Sequence, residues 1–296
     1  MNPLQSHFKR KVFILVPFKK KIMKTLLYWT IAALITLSAV IYQRKTGPTY
    51  DKRVTITIDN TVYKLKLIRS HGGEKDCKIE LTIPDQSVNG LLEYRKYPTS
   101  DTWTKVEMVR QTDNLVVTLP HLPPAGKYEY LAVLEKDGKK FPLNGGQTVI
   151  VRFKGDVPGS VLIPHILFMF LAMFFGNLAG IMAVFKYRKF RLFTNITLLT
   201  LFIGGLIFGP WVQWYAFGEA WAGVPFAWDL TDNKTLLAFL FWLFAFFMNR
   251  KKERPVYTIL ASVIMLLVYS VPHSMYGSQL DPETGEIIQG WIQLLF

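Results

Sequence analysis

A single cysteine, Cys77, stands in 296 residues. One thiol closes no intrachain disulfide and excludes a metal site built on cysteines. Histidine is nearly as scarce, with five. There is no Walker loop, no dinucleotide glycine motif, no C-x-x-C-H haem attachment and no H-E-x-x-H pair. Internal repeats and low-complexity stretches are missing too. Acidic residues are outnumbered, 21 Asp and Glu against 35 Lys and Arg, for a formal charge of +14.

What remains is largely apolar: half of the residues, with 22 Phe, 13 Tyr and 8 Trp. A bilayer-crossing helix needs about 20 predominantly apolar residues. Candidate runs are Thr25 to Tyr42, Ser160 to Phe185, Leu192 to Phe217, Thr235 to Met248 and Val256 to Val271. They predict five crossings, the fourth being short at its polar end.

Basic residues gather in three places: seven in residues 1–24, four in KYRKFR (186–191) and four in RKKER (250–254). These fifteen, less Glu253, equal the whole net charge of +14. Cationic segments stay on the cytoplasmic side, which predicts a cytoplasmic N-terminus and an outer C-terminus. The basic clusters then face anionic lipid rather than nucleic acid. Met23 opens MKTLLYWTIAALITLSAVIYQ, which reads as a start with a short basic lead. Residues 1–22 are then an over-long reading frame or a leader. No A-x-A site follows, so the first run is expected to be an uncleaved anchor.

Between Arg53 and Lys154 the pattern changes to short alternating runs: RVTITI, TVYKLKLI, KIELTI, LLEYRKY, LVVTL, YEYLAVL and TVIVRF. Period-two alternation at this spacing predicts an antiparallel β-sandwich of about seven strands. The stretch Leu91 to Leu134 resembles the middle of a fibronectin type III or related immunoglobulin-like module, with Leu122, Pro124 and Tyr128 in the L-x-P-x-x-x-Y spacing of its tyrosine corner. The resemblance implies that the tyrosine hydroxyl ties a loop to the next strand, and that the domain binds a partner or acts as a spacer. His71 and His121 read as surface residues of separate loops.

The expected order is a basic leader (1–24), a transmembrane anchor (25–42), an extracytoplasmic β-sandwich (50–155), a four-helix transmembrane bundle (160–273) and an outer interfacial tail (274–296). GEAWAGVPFAWDL, interrupted by Gly and Pro, is expected to lie as a surface lid. The pairs Gly176-x-x-x-Gly180 and Gly205-x-x-x-Gly209 predict close helix approach.

With that topology His165 and His273 fall at the outer ends of the second and fifth helices. Gln213, Asp229, Asp232, Asn233 and Ser274 fall at the same face. Ionisable groups at membrane depth usually face a cavity. Two histidines there are candidate axial ligands of a haem. His165, Met169 and Met173 share a helix face, and imidazole with thioether suits copper. Two histidines with Asp229 or Asp232 suit zinc with an open water position. Bland alternatives are equally open. Asp232 suits a helix N-cap, Asp229 can point into water, Gln213 can join helices, the methionines fill gaps, and the histidines can bond carbonyls. Ser274 beside His273 is not by itself a triad.

VPGSVLIPH, GPWVQWYAFGEAWAGVPFAWDLTDNKT and VPHSMYGSQLD resemble a family of bacterial polytopic membrane proteins with an outer immunoglobulin-like domain, over most of residues 90–281. That resemblance implies an inner-membrane architecture and carries no activity across. The function expected first is a metal or haem site at the outer mouth. The alternatives are a scaffold or assembly factor gripping another envelope protein through the sandwich, and an outward-facing lipid hydrolase.

Overall fold

A computed structural model describes residues 3–273, 277–282 and 284–289, with side chains for 23–273, 277–282 and 284–288. Its contacts divide the chain into two compact units. One comprises residues 1–42, 164–207 and 235–271; the other comprises 43–163, 208–234 and 272–296.

In the first unit, α1 (Pro3–Thr46), α2 (Gly159–Val184), α3 (Phe190–Leu201), α5 (Leu230–Lys251) and α6 (Pro255–Ser270) supply one apolar core. Among the described residues four helical stretches are long and apolar enough to cross a membrane: Met23–Thr46, Gly159–Val184, Phe190–Phe217 and Leu230–Lys251. The fourth, which looked short in sequence, is long enough because its polar first turn is helical too. The short one is α6, with 16 residues, which rises only about 24 Å. Polar pairs stitch this core: Asn177 Nδ2 donates to Thr36 Oγ1 at 2.9 Å, and Thr194 meets Thr258 at 3.2 Å. Such bonds contribute about 0.6 kcal/mol each in a bilayer. Gly176 and Gly180 face α5 and α6 so closely that an added Cβ would lie 3.0 Å from Trp242 and 2.3 Å from Ser262 Oγ.

The third apolar run is not one regular helix. It passes from α3 through a π-helical segment, Phe202–Phe208, into α4 (Gly209–Phe217). Pro210 has no N–H to return to the preceding turn. Gly204 and Gly205 bring this segment against its neighbours: a Cβ on Gly204 would meet Phe168 at 2.9 Å, and one on Gly205 would meet Thr235 at 2.7 Å.

The second unit holds the sheets. Strands β1 (Lys52–Ile58) and β2 (Thr61–Leu67) form a hairpin. β4 (Cys77–Thr82), β8 (Asn114–Leu119) and β7 (Val109–Gln111) form a second sheet. A third has the order β3 (Ser70–Gly72), β11 (Val149–Lys154), β9 (Lys127–Lys136), β5 (Asn89–Lys96), β6 (Thr104–Glu107), with β10 (Lys139–Pro142) also on β9. The alternation legible in sequence is real: β4 buries every second residue. The inward rows meet in one core that includes Ile58, Leu65, Ile79, Leu119, Tyr130 and Phe153. Cys77 is fully buried there, and burial pushes its thiol up to about 12, which makes it inert. Tyr130, not Tyr128, ties a loop: its hydroxyl donates to the Ile68 carbonyl at 2.8 Å. Tyr128 packs edge-on against Tyr94 and Phe153. His71 and His121 both set their rings edgewise on Phe153.

Two further strands belong to this unit. β12 (Ser278–Leu280) pairs with β13 (Ile287–Gln289), so the segment expected to be an interfacial tail begins as a hairpin. Leu280 N–H donates to the Ala125 carbonyl at 3.1 Å.

Candidate functional site

The polar residues gathered by the second unit centre on the first turn of α5. Asp229 caps it: Oδ1 accepts from the backbone amides of Thr231 at 2.7 Å and Asp232 at 3.2 Å. Its other oxygen, Oδ2, accepts from the Ser278 amide at 3.2 Å and hydroxyl at 3.4 Å. One buried carboxylate thus caps α5 and holds β12. Asp232 and Asn233 secure the preceding loop. The Ala222 amide donates to Asp232 Oδ2 and the Val224 amide to Asn233 Oδ1, both at 2.7 Å. Gly223 is required there, because a Cβ would lie 2.8 Å from that of Asp232. The segment expected to be a lid is therefore latched to α5 by side-chain bonds.

Cations face these acids. Arg152 on β11 is buried, lies 4.1 Å from the Phe217 ring centroid, and donates Nη2 to the Ser278 carbonyl. Among the described residues its buried Nε has no hydrogen-bond partner. Burial lowers this guanidinium to about 10, and the Asp229 charge opposes the shift. Lys127 on β9 donates to Gln279 Oε1 at 2.6 Å. Burial first, then the like charge of Arg152, lowers its ammonium to about 8. Lys234, also buried, reaches the Pro272 carbonyl at 3.4 Å. Glu219 is raised, by burial and then by the Asp229 charge.

Lys127 has a pH consequence. Its folded pKa lies below the ordinary lysine value, so the unfolded chain holds the extra proton between about 8 and 10.5. Stability contributed through this group therefore rises as pH increases across that window. Lys127→Gln is expected to flatten the rise in thermal midpoint of the β-domain between pH 8 and 10, followed by tyrosine near-UV dichroism.

His165, in the first unit, uses Nδ1 to donate to the Gly204 carbonyl at 2.9 Å. That carbonyl lies in the π-helical segment, where the regular ladder is interrupted. Met173 is buried in the same core and Met169 packs against it. His273 belongs to the second unit and is exposed. Gln213 is half-buried on α4, and Ser274 lies outside the described residues. Asp229, for which water was one alternative, is only 2% exposed, and the cap is Asp229 rather than Asp232. Among the described residues no three His, Cys, Asp or Glu side chains are grouped to hold a metal.

Sequence reasoning missed Arg152, Lys127, Ser278 and Gln279. One signal was available for Arg152: it stands in VIVRF, a strand whose neighbours are apolar on both faces. A charged residue there must be exposed at an edge or buried with partners. No protein-family model matches the chain, and no curated protein matches it.

Proposed function

We propose that this chain is a membrane-anchored docking protein, a scaffold or assembly factor of the bacterial inner membrane, rather than an enzyme. In this reading the N-terminus is cytoplasmic, and an immunoglobulin-like β-domain outside the membrane holds an envelope partner. One observation carries it: Asp229, Asp232, Asn233 and His165 are all already bonded to backbone amides or carbonyls. Groups held this way fix loops and helix ends; they are poorly placed to bind and release a substrate. The resemblance of Leu91 to Leu134 to a partner-binding or spacer module points the same way.

The metal or haem reading has one support of its own. A ring whose Nδ1–H bonds a carbonyl presents Nε2 as an acceptor, the usual arrangement of a ligating histidine. The two readings separate on protein purified in mild detergent without chelators. Docking predicts a colourless, metal-free protein, and His165→Ala and His273→Ala leave the size of its native membrane complex unchanged. A Soret band, or near-stoichiometric copper or zinc lost with either substitution, would sink it in favour of a cofactor site. Ester or phospholipid turnover lost with Asp232→Asn would sink it in favour of a hydrolase.

A further inference from the structure

We infer that the outer edge of β1 is the docking site, and that it takes an acidic, extended segment of the partner as an added β-strand. This rests on the docking reading.

The geometry begins at the hairpin turn. Asp59 and Asn60 both have positive φ, 47° and 65°, and Ile58 pairs with Thr61. This is a two-residue turn of the primed type, which makes the flanking pair a hydrogen-bonded one. Hydrogen-bonded and non-bonded pairs then alternate. Ile58, Ile56 and Val54 direct their amides and carbonyls at β2, while Thr57, Thr55 and Arg53 direct theirs away from it. The register carries this through Val54–Leu65, Ile56–Tyr63 and Thr55–Lys64. No other strand pairs with β1 among the described residues.

That edge does not face open solvent alone. Val54, Thr55 and Ile56 line a groove of about 200 Å³ whose other wall is Pro142, Leu143, Asn144 and Gly145. Leu143 is buried at its floor. Gly145 has φ +64° and nothing within 4 Å of a Cβ position, so this wall leaves room for a side chain. An edge strand beside a pocket is the arrangement of β-strand addition, in which main-chain bonds give affinity and the pocket selects a side chain.

Charge fixes the partner's chemistry. Arg53 lies directly opposite Lys66, and Thr55 opposite Lys64. Lys52, Arg53, Lys64 and Lys66 are all exposed. Like charges directly opposite destabilise a hairpin, and an acidic strand alongside relieves them.

The test uses the full chain in detergent. The probe is a synthetic seven-residue peptide of alternating valine and glutamate, with its valine–lysine counterpart as control. Saturable binding is expected, at least tenfold tighter for the acidic peptide, with amide exchange at Thr55 and Thr57 slowed at least tenfold. Thr55→Pro removes an outward N–H without touching the β1–β2 ladder, and should weaken binding at least tenfold. Lys64→Glu with Lys66→Glu, both at exposed positions, should reverse the preference between peptides. Equal binding by Thr55→Pro, or equal affinity for both peptides, overturns the proposal. So does exchange protection that grows with protein concentration without peptide, since the edge would then pair with a second copy. The native complex separates this from the parent reading. If it survives Thr55→Pro but is lost on charge reversal at Lys78, Lys105 or Lys139, the edge is wrong and docking stands. If it keeps its size in every variant, both are wrong.

Discussion

Asp229→Ala is expected to destabilise the β-domain unit by about 2–4 kcal/mol and to release β12 from it. The substitution removes an N-cap, which costs about 1 kcal/mol. It also leaves the amide of Ser278 buried without an acceptor, at roughly 1–3 kcal/mol. Both contacts are to a carboxylate only 2% exposed, so water cannot readily replace it. Arg152 loses the one anion that offsets its burial. Hydrogen exchange at Ser278–Leu280 should accelerate toward the rate of free chain, and trypsin should gain access to Arg152. Asp229→Asn separates the two roles. Its amide oxygen still accepts one pair of bonds, so about half the loss is expected, while the charge that faced Arg152 is lost in full. An Asp229→Ala protein whose exchange at 278–280 is unchanged would mean that β12 is held by its other contacts alone.

Gly180→Leu is expected to be comparably damaging to the helical unit. A Cβ at that position would lie 2.6 Å from Ser262 Cβ as well as 2.3 Å from its hydroxyl. No rotamer of either residue relieves a contact between two Cβ atoms, so α2 and α6 must separate. Overpacking a close core contact typically costs about 1–3 kcal/mol; with a forced helix displacement the upper end is expected. Thermal midpoints from size-exclusion chromatography in detergent would read it. Gly180→Ala should show part of the loss, and Ser262→Gly added to Gly180→Ala should restore most of it. Equal midpoints for Gly180→Leu and the parent chain would show that α2 and α6 do not pack there.

The sequence disclosed what depends on local pattern. RVTITI, TVYKLKL and KIELT alternate, and they are strands whose apolar sides meet in one core. Long apolar runs are long apolar helices. What it concealed depends on partners distant in the chain. WDLTDNKT contains two aspartates, either of which satisfies the composition of a cap. Only the position of Ser278 gives Asp229 both jobs. The sequence places a histidine near a proline but does not show what its ring meets, which is the Gly204 carbonyl of a π-helical segment. Two tyrosines a residue apart from the right position, Tyr128 and Tyr130, differ in which one points at Ile68. The hairpin at 278–289 was hidden for the same reason: SQL is too short to carry a period, and its strand pairs with Ile287–Gln289 and rests on Ala125.

The dependence of Arg152 on Ser278 has a consequence in time. The guanidinium and the carbonyl that receives it are 126 residues apart. A ribosome adds about 5–20 residues each second, so β11 is complete on the order of ten seconds before the segment that covers its arginine has been made. Throughout that interval the nascent sheet carries a cation on a strand otherwise built for burial. Final closure of the β-domain thus waits on helices that are synthesised after it, and any delay in inserting them prolongs its exposure to proteases and to wrong partners.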